Sequence, residues 1–345
     1  MAYTTIDKPN EYFTTTVYTG NGSTLSISSL EFSPDFVWIK NRNIVSNHVL
    51  FDTVRGTTLS LESESTASES IRSGITSFDS NGFTLGSNGN SNANGNSHAS
   101  WSWRGSDSSA VSNTAGSITS TVSANTTSGF SIVSWSGNST AGATIGHGLG
   151  VAPKMIIVKD RDGADSWVVY HNSLAITEYL ILNGTLAALT DNEVIFYDTD
   201  PTSSVFTVGA HNTVNQPGHN YIAYCFAEKK GFSKFGSYIG NGSADGTFVY
   251  TGFKPAWVLA KRTNDSSGWV LFDNKREPFN LADTSIRVDD SGAENQSNGA
   301  LDFLSNGFKW RTTDTGVNGS GNSFIFMAFA EHPFVTSTSI PTTAR

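Results

Sequence analysis

One spacing recurs three times along the 345-residue chain and limits how the chain can fold. In each copy a proline precedes a short apolar run that ends six positions later at a lysine, in the pairs Pro34–Lys40, Pro153–Lys159 and Pro255–Lys261. A second apolar run begins fourteen positions after each proline, at His48, Trp167 and Trp269. The turn between the two runs keeps its length while its sequence changes, as a hairpin requires, since a one-residue slip would turn every side chain to the opposite face.

Short turns separate these runs throughout the chain. The turn YTGNGS of the first copy returns as YIGNGS in the third, and Asn21-Gly22 and Asn241-Gly242 are pairs that tolerate positive φ in a two-residue hairpin. The last strand of each copy is rich in aromatic and β-branched residues, and no stretch has sustained helical periodicity. The predicted fold class is therefore all-β, with three tandem antiparallel β-sandwich repeats of jelly-roll-like form.

The repeats set the predicted domain boundaries. These are an N-terminal tail (1–10), repeat 1 (11–104), a Ser/Thr-rich linker (105–128), repeat 2 (129–228), repeat 3 (229–331) and a C-terminal tail (332–345). The linker is nearly free of large apolar and charged residues, which predicts a flexible or extended connector. Only Lys229–Gly231 separates the second and third repeats. We therefore expect those two repeats to dock rigidly and the first to sit apart.

Composition excludes several classes of protein. The formal net charge is -9, whereas a nucleic-acid groove needs clustered basic residues. The sequence shows neither a secretory signal nor an apolar run of the ~20 residues that span a bilayer. We therefore expect synthesis in a cytoplasm without membrane insertion. The single cysteine, Cys225, excludes an intramolecular disulfide, and its apolar surroundings predict a buried side chain.

Catalytic and metal-binding patterns are weak. Asp160, Asp162 and Asp165 resemble a calcium loop, but the glycine stands at the fourth place instead of the sixth and no Glu closes the loop. An acidic turn is the better interpretation. The sequence contains no nucleophile elbow and no His pair at helical metal-ligand spacing. We expect neither an enzyme, nor a metal, nor a cofactor.

Two kinds of residue are candidates for a binding site. An Asp-x-x-Arg sequence follows the second strand as Asp52–Arg55 and Asp273–Arg276, whereas repeat 2 has His171 and Leu174 there. Each pair could bind a sugar or a neighbouring subunit, or it could be a salt bridge that pins the turn. The second interpretation is favoured.

Tryptophan is the other candidate, because aromatic faces stack on sugar rings. Most strand tryptophans are expected in the core, among them Trp38, Trp101, Trp103 and Trp257. Trp310, which precedes a polar loop, is the one predicted to be exposed and to bind ligand.

The repeated motifs resemble those of a known family. They include PDFVWIKNR, NHVLFDTVRG, NANGNSHASWSW, YIAYCFAEKKGFSKFGSYIGNGS and the final EHPFVTSTSIPTTAR. Nearly the whole chain is similar to repeat-containing virion structural proteins of marine tailed phages, the tail-fibre-like proteins of cyanophages and related phages. The resemblance implies a location in the virion and a non-enzymatic role, and it carries over no catalytic residues.

Two roles fit such a protein. The first is a tail-fibre or receptor-binding component that contacts host-surface glycans, and the second is a decoration or accessory protein of the capsid or tail. A glycan-degrading enzyme ranks third, because it would need paired carboxylates that no recurring motif supplies. Repeated sandwiches would raise avidity. The expected partners are other virion proteins and a host glycan. A homo-oligomer such as a trimer is expected, with a threefold shape within one chain as the alternative.

Overall fold

Three large antiparallel sheets, each faced by a smaller sheet, make up the protein. A computed structural model describes residues 3–106, 108–296 and 299–341. Residues 1, 2 and 342–345 of the predicted tails, and Asp107 of the predicted linker, lie outside the described residues. The prediction of an all-β sandwich fold is confirmed.

We call each large sheet with its smaller partner a unit. Unit 1 consists of β1 (Phe13–Thr19), β2 (Leu25–Ile27), β3 (Phe36–Asn41), β4 (Val49–Asp52), β5 (Gly56–Leu61), β6 (Ser70–Ile71), β7 (Ile75–Asp79), β8 (Gly82–Leu85), α1 (Gly89–Asn92) and β9 (Ser97–Trp103). Unit 2 consists of β10 (Val111–Asn113), β11 (Ser120–Asn125), β12 (Phe130–Ser136), β13 (Ala143–Gly146), β14 (Met155–Asp160), β15 (Val168–His171), β16 (Glu178–Ile181), β17 (Leu189–Thr190), β18 (Val205–Val208), α2 (Asn212–Asn215) and β19 (Asn220–Phe226). Unit 3 consists of β20 (Ser233–Ile239), β21 (Phe248–Tyr250), β22 (Phe253–Arg262), β23 (Trp269–Asp273), β24 (Ile286–Arg287), β25 (Leu301–Leu304), β26 (Gly307–Trp310), α3 (Thr315–Asn318) and β27 (Ser323–Pro333). A 3-10 helix, Pro9–Glu11, precedes unit 1.

The large sheets share one strand order. It is β1-β9-β3-β4-β5-β6 in unit 1, β10-β11-β12-β19-β14-β15-β16-β17 in unit 2 and β20-β27-β22-β23-β24 in unit 3. The smaller sheets are β2-β8-β7, β13-β18 and β21-β26-β25. The strand that contains the recurring lysine lies near the middle of each large sheet. It is buried on both faces, which explains its uninterrupted apolar run.

The two faces of each large sheet pack in different cores. One face packs against the small sheet of its own unit, and the other faces of all three sheets meet in one central core. Trp103 lies in this core with its ring centroid 5.2 Å from Phe36, 6.2 Å from Phe226 of unit 2 and 5.9 Å from Trp257 of unit 3. The expectation that the first repeat sits apart is therefore wrong.

Hydrogen bonds close the three units into a circle. The first residue of the second apolar run reaches a main-chain carbonyl of the neighbouring unit: His48 Nε2 donates to Arg287 O (3.0 Å), Trp167 Nε1 to Glu62 O (2.9 Å) and Trp269 Nε1 to Ile181 O (2.8 Å). Unit 1 thus contacts unit 3, unit 2 contacts unit 1, and unit 3 contacts unit 2. One chain contains the threefold arrangement.

The segment predicted as a flexible linker is part of unit 2. β11 pairs with both β10 and β12, so the two strands within residues 111–125 extend the large sheet. Two serines of β11 are buried and paired: Ser120 Oγ donates to Gly146 O (2.7 Å), and Ser123 Oγ donates to Asp35 Oδ1 of unit 1 (3.3 Å). The composition was misleading because small hydroxyl residues fit a tight buried strand once their polar atoms are bonded.

The Asn-Gly turn also differs from the prediction. Gly22 has a φ of +69°, as expected, but the turn carries the chain from β1 to the facing sheet instead of closing a hairpin. A buried asparagine holds it: Asn92 Oδ1 accepts from Asn21 N at 2.8 Å, and Asn92 Nδ2 donates to Ser23 O. Asn215 and Asn318 have the same role in units 2 and 3. Each asparagine stands five residues before its unit's last strand, a spacing that the sequence analysis missed.

Candidate functional site

Both Asp-x-x-Arg pairs are buried ion pairs. Arg55 Nε lies 2.5 Å from Asp52 Oδ2, and Arg276 Nε lies 2.6 Å from Asp273 Oδ2, with all four side chains out of contact with solvent. The aspartates also accept from the main-chain N–H groups of Arg55 and Arg276, which fixes the turn. A ligand-binding role for these residues is therefore wrong, and the turn-pinning interpretation fits the geometry.

The same pairs join neighbouring units. Tyr224 Oη of unit 2 donates to Asp52 Oδ2 at 2.8 Å, and Trp101 Nε1 of unit 1 donates to Asp273 Oδ2 at 3.1 Å. Unit 2 has His171 at this register, and its Nε2 lies 3.2 Å from Phe326 O of unit 3. Burial lowers the pKa of His171 to about 4, so the imidazole is neutral and donates to that carbonyl.

The three recurring lysines are buried as well. Lys40 Nζ donates to Ser46 O (2.7 Å) and to Ser291 O of unit 3 (2.9 Å), and Lys261 Nζ donates to Leu186 O of unit 2 (2.8 Å). Burial lowers the pKa of Lys40, Lys159 and Lys261 to about 8. Because these ammonium groups are enclosed by main-chain carbonyls, they hold hairpins and loops together and do not face a ligand.

The predicted exposure of Trp310 is wrong. Its relative exposure is 0%, and it lies in the unit 3 core with Phe272, Phe308 and Tyr238. Side chains alternate between the faces of a strand, so the residue before it, Lys309, points outward. Core packing of the other tryptophans, and burial of Cys225, are as predicted.

An exposed aromatic pair lies on the strand beside Trp310. Phe248 and Tyr250 of β21 are 44% and 55% exposed, while Val249 between them is buried. Phe248 pairs with Lys309, and Tyr250 pairs with Gly307, which has no side chain to cover the tyrosine ring. We call the surface formed by Phe248, Tyr250, Lys309, Arg311 and Asp245 the aromatic face.

Ion pairs order the charged part of the aromatic face. Asp245 lies 2.5 Å from Lys309 Nζ and 3.1 Å from Arg311 Nη1, and Arg311 Nε lies 2.6 Å from Asp302. The hydrogen bond from Lys309 lowers the pKa of Asp245. The exposed carboxylate is therefore an ionised acceptor held against Lys309, the residue that pairs with Phe248.

The N-terminal segment supports one end of the aromatic face. Tyr3 Oη donates to Gly252 O at 2.7 Å, two residues beyond Tyr250, and Lys230 Nζ lies 4.4 Å from the centre of the Tyr3 ring. Burial, followed by a hydrogen bond with Tyr250, raises the pKa of Tyr3. The phenol is therefore neutral and fixed beside Tyr250.

The corresponding faces of the other units lack this aromatic pair. Val249, Ile27 and Ile145 pair with equivalent phenylalanines, so the positions of Phe248 and Tyr250 correspond to Ser26 and Ser28 in unit 1 and to Thr144 and Gly146 in unit 2. The three outer faces therefore differ, and repetition does not multiply this surface. Comparing the three strands TFVYT, LSISS and ATIGH would have revealed the exception.

The described part of the chain shows neither a metal-binding cluster nor a membrane-spanning helix. No group of three or more His, Cys, Asp or Glu side chains is arranged to hold a metal ion among the described residues. Asp160 is buried, and its Oδ1 accepts from the N–H groups of Asp162 and Gly163, which makes the acidic loop a tight turn. In residues 3–106, 108–296 and 299–341, no helix is long and apolar enough to cross a membrane.

The fold and this surface define an all-β protein of packed sandwiches with one outward aromatic face. The chain belongs to the family described as Domain of unknown function (DUF7483), whose model matches residues 8–333. Neither the curated proteins nor the solved structures gave a match. Because the matched region includes all three units, the family is defined by the whole three-unit body and not by a single sandwich.

Proposed function

We propose that the chain is a non-enzymatic bacteriophage virion structural protein that serves as a tail-fibre or receptor-binding component and contacts host-surface glycans. The resemblance of its repeated motifs to marine phage virion proteins supports the virion assignment. The observation that carries the binding role is the pair of exposed rings, Phe248 and Tyr250, beside an ordered ion-pair network. Other virion proteins are the proposed partners, in a homo-oligomeric assembly such as a trimer.

The chemistry of the aromatic face suits a sugar. A pyranose has an apolar face of C–H groups, which stacks on an aromatic ring, and a rim of hydroxyls, which needs acceptors and donors. Asp245 supplies an exposed acceptor, and Lys309 and Arg311 supply donors. Single exposed apolar residues are ordinary on protein surfaces. Two rings on alternate positions of one short strand, next to charged groups held in place, form a surface with one preferred orientation for a ligand.

A capsid or tail decoration protein is the second candidate. The observation that favours it is the closure of the three units around one central core, which gives the chain a self-contained body suited to a surface position on a particle. In this role the protein would contribute to assembly, and the aromatic face would contact another virion protein.

Binding of fluorescently labelled protein to candidate marine host cells tests the proposal. We expect saturable binding that is lost when the cells are stripped of surface glycans. Saturable binding that persists on stripped cells would indicate a protein receptor instead of a glycan. No binding, together with many copies of the protein in purified virions, would favour the decoration role.

A further inference from the structure

A groove of about 480 Å³ runs between units 1 and 3. Its floor is the edge strand β1, from Phe13 to Val17, and its opposite wall includes Ala256, Asn274 and Glu331 of unit 3. β1 pairs with β9 alone, so its other edge faces the groove. Edge strands present unpaired main-chain donors and acceptors, which form a template for another strand.

Unit 2 shows what fits in such a place. Phe13 pairs with Trp103 in unit 1, and Phe130 pairs with Phe226 in unit 2, so residues 13–17 correspond to residues 130–134. β11 pairs antiparallel with residues 130–134, from Asn125 opposite Phe130 to Thr121 opposite Ser134. The groove is therefore the position that β11 fills in unit 2.

The walls of the two positions correspond as well. Asp35 and Ala256 each follow the recurring proline of their unit, and Thr53 and Asn274 each follow the buried aspartate. At the filled position Asp35 Oδ1 accepts from Ser123 Oγ of β11 (3.3 Å) and from Thr53 Oγ1 (2.8 Å). At the groove an alanine replaces this carboxylate.

Two polar atoms beside the groove lack the partners that a strand would supply. Thr15 and Asn274 line it and are only 5% and 7% exposed, and Thr15 Oγ1 and Asn274 Oδ1 have no hydrogen-bond partner within the described ranges. Buried polar atoms of native proteins are nearly always paired. Thr15 corresponds to Ile132, the residue opposite Ser123. On a strand added at the groove, a polar side chain at the position of Ser123 would lie beside Thr15 Oγ1 and Asn274 Oδ1.

We propose that this groove binds an extended strand of a partner protein, paired with β1 as β11 is paired with β12. The strand would alternate hydroxyl or amide residues with small residues, as Thr121, Ser123 and Asn125 of β11 alternate with Ser120, Val122 and Ala124, and would place a hydroxyl or amide opposite Thr15. The chain's own β11 is held between β10 and β12, which favours a separate partner over this chain or a second copy. This attachment site does not depend on glycan binding.

The probe is a fluorescent peptide of residues 118–127, ITSTVSANTT, added to the full chain. We expect saturable binding, with slower amide exchange in residues 13–19 and unchanged exchange in residues 130–136. The same peptide with Val122→Pro is the control, since proline disrupts strand pairing, and it should not bind. Lack of saturable binding, or protection of residues 130–136 instead, would overturn the proposal.

A gain-of-function variant sharpens the test. Ala256→Asp gives the groove the carboxylate that Ser123 uses in unit 2, so we expect the peptide to bind about tenfold more tightly, as for an added charge-assisted hydrogen bond. A peptide with Ser123→Ala should show no gain. If Ala256→Asp does not fold, Thr15→Val should weaken binding of the wild-type peptide severalfold. Concentration-dependent dimers that protect residues 13–19 without peptide would assign the groove to a second copy and contradict the proposal of a separate partner.

Discussion

At the scale of single residues, the charged residues that recur between the units have structural roles. The Asp-x-x-Arg pairs and the lysines after each proline could be found from the sequence, and their structural role could be anticipated for the ion pairs. A comparison of the units could single out Phe248 and Tyr250, but it could not show that they are exposed while Trp310 is buried, because this depends on which face of a strand each residue occupies. That depends on strand register, and a one-residue error reverses inside and outside.

Replacing Arg55 with Leu should strongly destabilise the protein. The change leaves Asp52 buried without its cation, which costs about 3–5 kcal/mol in the free energy of unfolding. Asp52→Asn with Arg55→Leu should recover a large part of the loss, because the amide oxygen still accepts from Tyr224. Denaturant unfolding of the single and double variants measures both values. Equal stability of the wild type and Arg55→Leu would show that the ion pair does not join the units.

His171 should make stability fall in acid. Burial lowers its pKa from 6.5 to about 4. As the pH falls from 6.5 toward 4, the unfolded chain therefore takes up a proton at His171 before the folded chain does. The contribution of His171 is complete above pH 6.5 and is lost toward pH 4, with a slope of at most about 1.4 kcal/mol per pH unit. His171→Asn should flatten the pH dependence of the unfolding free energy. If the unfolding free energy of His171→Asn falls with decreasing pH as steeply as that of the wild type, His171 is not the source of the acid sensitivity.

At the scale of elements, spacing was a better guide than composition. The hairpins β3–β4, β14–β15 and β22–β23 form where the constant interval from proline predicted them. The strands β10 and β11 were missed because Ser, Thr, Ala and Asn suggest a linker when their partners are unknown. Only the folded chain shows Ser120 and Ser123 bonded in buried positions. A short stretch of sequence does not show which distant residues will form hydrogen bonds with it.

Hydrogen exchange should distinguish a strand from a linker in residues 120–125. We expect slow exchange across β11, since it is paired on both sides. Val122→Pro should accelerate exchange there and lower stability by about 1–3 kcal/mol, the cost of leaving a buried hydrogen bond unmade. Ser109→Pro, in the exposed loop before β10, is the control. Fast exchange of residues 120–125 in the wild type would instead support the prediction of a flexible linker.

At the scale of the whole molecule, the three units share one core. Short connections predicted that units 2 and 3 would dock, but the central core joins unit 1 to both. The sequence contained a clue, since the apolar runs of the central strands lack polar alternation and so must be buried on both faces. What covers the second face could not be deduced, because a neighbouring unit and a second chain would leave the same pattern.

The shared core predicts that the chain unfolds as one body. Trp103 contacts aromatic rings of all three units, so Trp103→Ala should cost about 3–5 kcal/mol and lower a single thermal transition. Val45→Ala, at an exposed position, should have little effect. Calorimetry measures both variants. Separate transitions, with only one shifted by Trp103→Ala, would contradict a common core.

The most direct test of the proposed function compares binding of two folded variants to host cells that bind the wild type. Phe248→Ala with Tyr250→Ala removes both rings of the aromatic face, and Ile71→Ala removes an apolar side chain of unit 1 that is more exposed than either ring. Two lost stacking contacts of about 0.5–1.5 kcal/mol each predict binding weakened by about fivefold to about 150-fold for the double variant, with wild-type binding for Ile71→Ala. Wild-type affinity in the double variant would contradict a receptor-binding role for the aromatic face.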